Sequence, residues 1–585
     1  MPTKQSLVLA ALATLAIAFA ADVRAQDATL DALMADYWDY YLEEYPVAAT
    51  RAGIDEFNDR LGRVTPDALA EARAAESAFL RRLADIDEAS LSEQGRLNAE
   101  LFDWVLRDAI EARDLGLERI PFNTFSGFYM EALTASSGVR MDSADDYRDY
   151  LARMRDIPRW FAENIANMQR GAETGFVLPR IVIEGVLPTL RSQLKDRPED
   201  SSFYEPFETM AAKLGVEEAA ELEAAARQVI KDDVFPAFES LVEYLESEYP
   251  ASATIGASEL ENGKAYYAFQ IRRYTTLTDI DADEIHATGL AEVARIRREM
   301  DAIIEEVGFE GDFAAFTGFL RTDPQFYAET PEALLKEAAW IAKRIDYRLP
   351  GFFGKLPRQP YGIVPVPEEI APNYTTGAYY GAPLGGEHGG AYWLNTYALD
   401  QRPLYELPAL TLHEAVPGHH LQGALALEMD EGPEFRRDLY FSAFGEGWAL
   451  YTERLGVEMG IYRTPYEHFG RLSYEMWRAC RLVVDTGMHA KGWTRDEAIR
   501  FMTRNTGLSE SNIRAEIDRY ISWPGQALAY KLGELEIREL RSRAETALGD
   551  AFDLREFHDA VLANGALPLA MLEGVVEAYI ELRLP

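Results

Sequence analysis

The chain has 585 residues, nearly half of them hydrophobic, and a formal charge of −40 from 98 acidic and 58 basic side chains. That balance argues against nucleic acid as a partner, because phosphate binding needs clustered Lys and Arg. The single cysteine, Cys480, excludes an internal disulfide, so stability must come from packing in a large core.

Residues 1–25 read as an export signal. Lys4 supplies a positive end, residues 7–20 form a short apolar run, and Val23-Arg24-Ala25 ends like a small-residue cleavage site. Cleavage after Ala25 is expected, with Ala20 as the alternative. The run is short for a membrane span, and no cysteine follows it closely to take a lipid. The expectation is therefore a periplasmic or secreted protein without stable membrane insertion after cleavage. Residues 30–44, 66–85, 91–113, 216–248 and 281–307 carry apolar side chains at three- and four-residue spacing, which predicts helices. Thr65-Pro66 and Thr330-Pro331 read as helix openings, a capping hydroxyl followed by proline in the first turn. Pro250-Ala251-Ser252-Ala253-Thr254 suggests a soft boundary between an amino-terminal helical half, 26–255, and a catalytic half, 256–585, within one continuous envelope.

Strand signals are few and concentrate at 361–367 and 390–396, so the fold class is mainly α with a small sheet near the active site. The glycine-rich stretch 381–390 lacks the Lys-Ser/Thr of a phosphate loop. It reads instead as a flap, with His388 placed to reach substrate. Residues 390–396, with Tyr392 and Asn395, read as an extended segment whose exposed edge could pair with a peptide backbone, an ordinary hairpin being the alternative.

Three of the eight histidines fall in His413-Glu414-Ala415-Val416-Pro417-Gly418-His419-His420. The H-E-x-x-H pattern of zinc hydrolases puts its histidines about 6 Å apart on one helical face. In a regular helix His419 would lie about 9 Å from His413 and roughly 240° around the axis, too far to share an ion. Val416-Pro417-Gly418 offers the remedy, because proline removes a backbone donor and glycine tolerates nearly any backbone angle. A bulged or kinked turn there would bring His419 to the position of the second ligand, with His420 as the alternative. Downstream, Phe444-Gly445-Glu446-Gly447-Trp448 supplies a carboxylate. Glu446, flanked by glycines without bulk, is the expected third ligand, and Glu453 is its alternative or a supporting partner. Two imidazoles and a carboxylate suit zinc, one ion per chain. Glu414 is then placed to act as general base. Oxyanion donors are sought in His489, Tyr520 and Tyr530. Arg478, Arg481 and Lys531 are candidates to hold a substrate carboxylate, helix salt bridges being the plainer account.

The segments HEAVPGHHLQ, FGEGWALYTERLG, DTGMHAKGWT and YISWPGQALAYKLGELEI occur in this order, preceded by YYGAPLGGEHGGAYWLNT and EEYPVAATRAGI. Together they resemble the bacterial domain-of-unknown-function-885 family, over nearly the whole mature chain. That family in turn resembles helical gluzincin peptidases of the thimet-oligopeptidase type. The resemblance implies a large helical metallopeptidase-like fold enclosing a deep cleft, and a zinc peptidase acting on short peptides. A metal-dependent amidase acting on non-peptide substrates and a non-catalytic peptide-binding protein are the competing expectations.

Overall fold

A computed structural model describes residues 4–368, 370–382, 388–429 and 432–584, with side chains described from 24 onward except those of 373 and 438. The chain is mainly α, and two compact units are distinguishable: residues up to Thr254 with Leu260–Asn262 and Pro433–Asp438, and then Ile255–Glu259, Gly263–Gly432 and Leu439–Pro585.

In the first unit one helix runs Lys4–Glu44, through the expected processing point at Ala25. Among the described residues no helix is long and apolar enough to cross a membrane. Helices Pro66–Ala84 and Glu93–Leu115 match the expected segments closely, and the Thr65 hydroxyl accepts a hydrogen bond from the Ala68 amide at 3.2 Å, as its capping pattern predicts. The segment 216–248 departs from a single regular helix. It runs as Val216–Val229, widens through a π-turn at Ile230–Val234, and resumes at Phe235–Ser247. Pro236 is the cause the sequence offers, since it brings no amide donor and its ring crowds the preceding turn.

The second unit holds every residue of the candidate site. Thr330 caps the Pro331–Arg348 helix through the Ala333 amide. The Ala282–Glu306 and Pro465–Ala490 helices pack along one another, and the Ser442–Glu458 helix packs on Ala529–Leu548. The second pairing is unusually close. A Cβ on Gly447 would lie 2.5 Å from the Gly533 backbone, and one on Gly533 only 2.0 Å from the Ala443 carbonyl oxygen.

The small sheet has three strands, β1 (Tyr361–Pro365), β2 (Gly377–Tyr380) and β3 (Gly390–Leu394), in the order β1-β3-β2. β3 pairs in parallel with β1, Ile363 opposite Tyr392, and antiparallel with β2, Tyr379 opposite Tyr392. This corrects the expectation of an exposed edge at 390–396: β3 is the middle strand, and both its edges are taken. Of the expected flap, residues 383–387 lie outside the described ones.

Candidate metal centre

The helix that brings His413 to the site is Leu407–Glu414, and it stops one residue after that histidine. A second helix starts at His419 and runs to Leu427. Between them the chain turns through Val416-Pro417-Gly418, with a cis bond before Pro417. The kink inferred from Pro-Gly is thus a complete break, not a bulge inside one helix. The Gly418 amide donates to the Leu412 carbonyl at 3.0 Å, and the His420 amide to Ala415 at 3.0 Å. A Cβ on Gly418 would sit 1.9 Å from the His413 carbonyl oxygen, so no side chain fits there. From the neighbouring Ser442–Glu458 helix, Trp448 Nε1 donates to the Pro417 carbonyl at 2.8 Å and the Thr452 hydroxyl to that of Leu412 at 3.0 Å. The element that carries Glu446 therefore also pins the turn that places His419.

The consequence is convergence. His413 Nε2 and His419 Nε2 each lie 3.5 Å from Glu446 Oε2, and the two rings stand edge to face with centroids 4.9 Å apart. One nitrogen from each histidine and one carboxylate oxygen all fall within 4.8 Å of one another. A tetrahedral cation with bonds of about 2.1 Å separates its ligand atoms by about 3.4 Å, so this donor set fits zinc with little movement. His413 is 4% exposed by side-chain surface, whereas His419 and Glu446 are each 16% exposed, which leaves the cluster one open side.

Behind the cluster, His413 Nδ1 donates to Glu453 Oε1 at 2.8 Å, which orients the ring with its Nε2 edge toward Glu446. Glu453 itself is fully buried, with Arg478 3.7 Å from the same oxygen. Burial alone would lower the pKa of His413, but its hydrogen bonds to Glu446 and Glu453 and the charge of Glu414 outweigh that and lift it to about 9. Burial likewise works to raise Glu446, and the two imidazoles override it, holding the carboxyl well below its ordinary range. Glu414 is half-buried, and its charge acts on His413, Tyr374, Tyr392 and Tyr440.

His420 is not in the cluster. Its Nε2 donates to the Gln359 carbonyl at 3.1 Å and its Nδ1 accepts from the Tyr379 hydroxyl at 3.0 Å, so it ties the sheet to the second helix. The glycines beside Glu446 serve a different purpose from the one expected. Gly447 admits the close approach to Gly533, and Gly445 lies under the Tyr440 ring, where a Cβ would come within 2.6 Å of it.

Several residues singled out in the sequence are committed elsewhere. His489 is fully buried, its Nδ1 accepting from the Ala257 amide at 3.1 Å and its Nε2 donating to the Tyr520 carbonyl at 3.0 Å. Neither nitrogen is left for an oxyanion, and burial lowers its pKa to about 4. The Tyr520 hydroxyl donates to Glu516 at 2.6 Å and accepts from Trp477 and Arg481. Asn395 spends its amide on the carbonyls of Ala371, Tyr374 and Thr375 and its oxygen on the Tyr397 amide, bracing a loop instead of facing substrate. Tyr392 is fully buried beneath the sheet, near Thr411 and within the field of Glu414. His388 is exposed at the border of the undescribed stretch. Lys531 is wholly buried against Glu292, Glu475 and Glu534, and Arg481 is paired with Glu516, so both serve internal ion pairs.

The Tyr530 hydroxyl accepts from Arg519 at 3.3 Å and Gln526 at 3.5 Å, and its electrostatic neighbour Tyr440 is a residue that sequence reasoning missed. Tyr440 is 56% exposed and its ring covers Gly445, beside Glu446, so that the carboxylates of Glu446 and Glu414 both act on its hydroxyl. Nothing in the sequence distinguishes one tyrosine among 30. The available signal was Gly445, a small residue that a ring must cover.

The chain's neighbours among known proteins are consistent with this architecture. A structure described as "the putative lipoprotein from Colwellia psychrerythraea" superimposes with a TM-score of 0.88 at 29% identity, covering 95% of this chain and 99% of that one. A second, described as "a putative lipoprotein of unknown function from Shewanella oneidensis", has a TM-score of 0.72 at 18% identity, covers 93% and 99%, and speaks for the fold alone. No curated protein matches the sequence. The family described as "Bacterial protein of unknown function (DUF885)" matches residues 46–576, nearly the whole chain, and the protein belongs to it.

Proposed function

We propose that this protein is a zinc-dependent peptidase of the helical gluzincin type, acting outside the cytoplasm on short peptides. The observation that carries the reading is the meeting of His413, His419 and Glu446 within 4.8 Å, with Glu414 adjoining the first ligand. His413 Nε2, His419 Nε2 and a Glu446 oxygen would hold the ion. A bound zinc would supply Lewis acidity, polarising a scissile carbonyl and making water more acidic. Glu414 takes the proton from the attacking water and delivers it to the departing amine. Tyr440 donates its hydroxyl hydrogen to the carbonyl oxygen as negative charge builds there, with Tyr530 beside it as the second donor. Glu453 keeps His413 in the one tautomer that can serve as ligand. The apolar amino-terminal run and the lipoprotein description of the similar Colwellia psychrerythraea structure support placement outside the cytoplasm.

The test combines metal analysis with cleavage mapping on a random peptide library. Wild type is expected to carry about one zinc per chain and to cut peptides. Glu414→Gln should keep the metal and lose roughly 10²–10⁴-fold in turnover. Unchanged cleavage by Glu414→Gln would refute its role, and cleavage of acylated amines without peptides would move the assignment to an amidase. Tight peptide capture by zinc-loaded wild type with no turnover would make the protein a binder.

A further inference from the structure

Acids outnumber bases 98 to 58 in this chain, yet one surface groove is lined by Trp340, Lys343, Arg344, Tyr347, Arg348 and Ile461, with no carboxylate among them. Its volume is about 310 Å³. Five of those six residues lie on the Pro331–Arg348 helix, and the spacing 340, 343, 344, 347 and 348 puts them on one face. Trp340 is 47% and Tyr347 83% exposed, unusual for large aromatic side chains. Two guanidiniums lie against the Trp340 ring, Arg344 4.8 Å and Arg463 4.7 Å from its centroid.

The cations differ in how far they are already satisfied. Arg463 is paired with Glu337 and Glu467, and Lys343 with Asp346 at 2.7 Å. Arg344 reaches only backbone carbonyls, those of Gly460 and Ile461 at 3.3 and 3.2 Å. Arg348, exposed at the end of the helix, has no carboxylate partner among the described contacts. Burial, and after it the charge of Arg463, depresses the pKa of Arg344, although the carboxylates of Glu467 and Glu337 act against it.

We propose that this groove is an anion site for a phosphate group, gripped by Arg344, Arg348 and Lys343 with Tyr347 as the apolar wall. Guanidiniums favour phosphate because their planar donors match its oxygens two at a time. The competing account is that Arg344 and Arg348 only complement the carbonyl ends of two helices. That account requires no ligand, so the two separate on binding. This site is remote in chemistry from the metal cluster and does not depend on peptidase activity.

The experiment uses full-length protein labelled with 5-fluorotryptophan, the Trp340 resonance being assigned with Trp340→Phe. Inorganic phosphate is expected to shift that resonance saturably, while chloride at equal ionic strength does not. Arg348→Gln should weaken the affinity about tenfold with the thermal midpoint unchanged, and Arg344→Gln should weaken it further. Vesicles of phosphatidylcholine with and without phosphatidylglycerol form the second arm. Saturable phosphate binding without vesicle binding assigns a soluble phosphate compound. Retention on phosphatidylglycerol vesicles that Arg348→Gln abolishes assigns a lipid headgroup. Absence of both, or binding that neither substitution alters, overturns the proposal.

Discussion

Glu453 has no route to a substrate, yet it decides how His413 is presented. Its carboxylate accepts the Nδ1 proton at 2.8 Å while being wholly shielded from water. Glu453→Gln keeps an acceptor in place but removes the charge, and is expected to weaken zinc binding 10- to 100-fold without unfolding the protein. Competition with a chelator measures this, and an unchanged affinity would show that His413 is positioned by packing alone. Buried histidines set a different limit. His489 and His558 are held at about 4 and about 3, against an ordinary 6.5, in both cases by burial. Such groups bind protons more readily unfolded than folded. The stability they support is intact above pH 6.5 and declines as pH falls, through about 4 for His489 and about 3 for His558. Each costs about 1.4 kcal/mol per pH unit within its window. His489→Gln should therefore flatten the acid limb of a stability–pH curve between 6.5 and 4, even if it lowers the plateau. An acid limb as steep as that of wild type would contradict the assignment. The meeting of His413 and His419 was legible in the sequence because both flank the Val416-Pro417-Gly418 turn in one short run. His489 was misread because a helical histidine beside Asp485 looks the same whether its ring meets substrate or two backbone groups.

At the scale of elements, the site depends on two helices that approach unusually closely. Gly447 and Gly533 face each other between the Ser442–Glu458 and Ala529–Leu548 helices, and the first of these also holds the Val416-Pro417-Gly418 turn through Trp448 and Thr452. Gly533→Ala would force a methyl group to within 2.0 Å of the Ala443 carbonyl oxygen. Neither backbone can absorb that without the helices parting. The expected loss is about 1–3 kcal/mol or more, with Glu446 displaced from the histidines and zinc affinity falling alongside the thermal midpoint. A lower midpoint with full zinc affinity would show that the helix pair supports the fold and not the cluster. Periodicity and the Thr-Pro openings revealed the helices Pro66–Ala84, Glu93–Leu115, Ala282–Glu306 and Pro331–Arg348, since both act over a few neighbouring residues, whereas long helices such as Ala144–Thr174 and Pro465–Ala490 were not singled out. β2 escaped notice because Gly377-Ala378-Tyr379-Tyr380 is too short to alternate. The central place of β3 escaped as well, because strand order depends on which distant segments pair and leaves no local trace.

Over the whole molecule the formal charge is −40, and among the described residues charged groups of both signs are buried, Lys531 and Glu475 among them. Lys531 is completely buried, 2.8 Å from Glu475, 2.7 Å from Glu534 and 3.0 Å from Glu292, and Glu475 in turn meets Arg471 at 2.7 Å and also Arg295. Burial opposes charge on Lys531, but the three carboxylates overcome it and raise its pKa. The network links the Ala282–Glu306, Pro465–Ala490 and Ala529–Leu548 helices, so it helps fix which faces of these long helices meet. Hydrophobic periodicity leaves that choice loosely specified, which is why the sequence suggested salt bridges for Lys531 without naming partners. Lys531→Met fills the same space and strands carboxylates away from water, at an expected cost of about 3–5 kcal/mol. The double variant Lys531→Met/Glu534→Gln removes one of the stranded charges and should recover part of the loss. Salt separates this network from the surface. Raising ionic strength from 0.01 to 1 M shortens the screening length from about 30 to about 3 Å and relieves repulsion among exposed acids. Wild type and Lys531→Met should therefore gain similar stability from salt, leaving the gap between their thermal midpoints nearly constant. Closure of that gap at high salt would mean that the lysine acts against the general surface charge, and the network would lose its role in setting how the three helices pack.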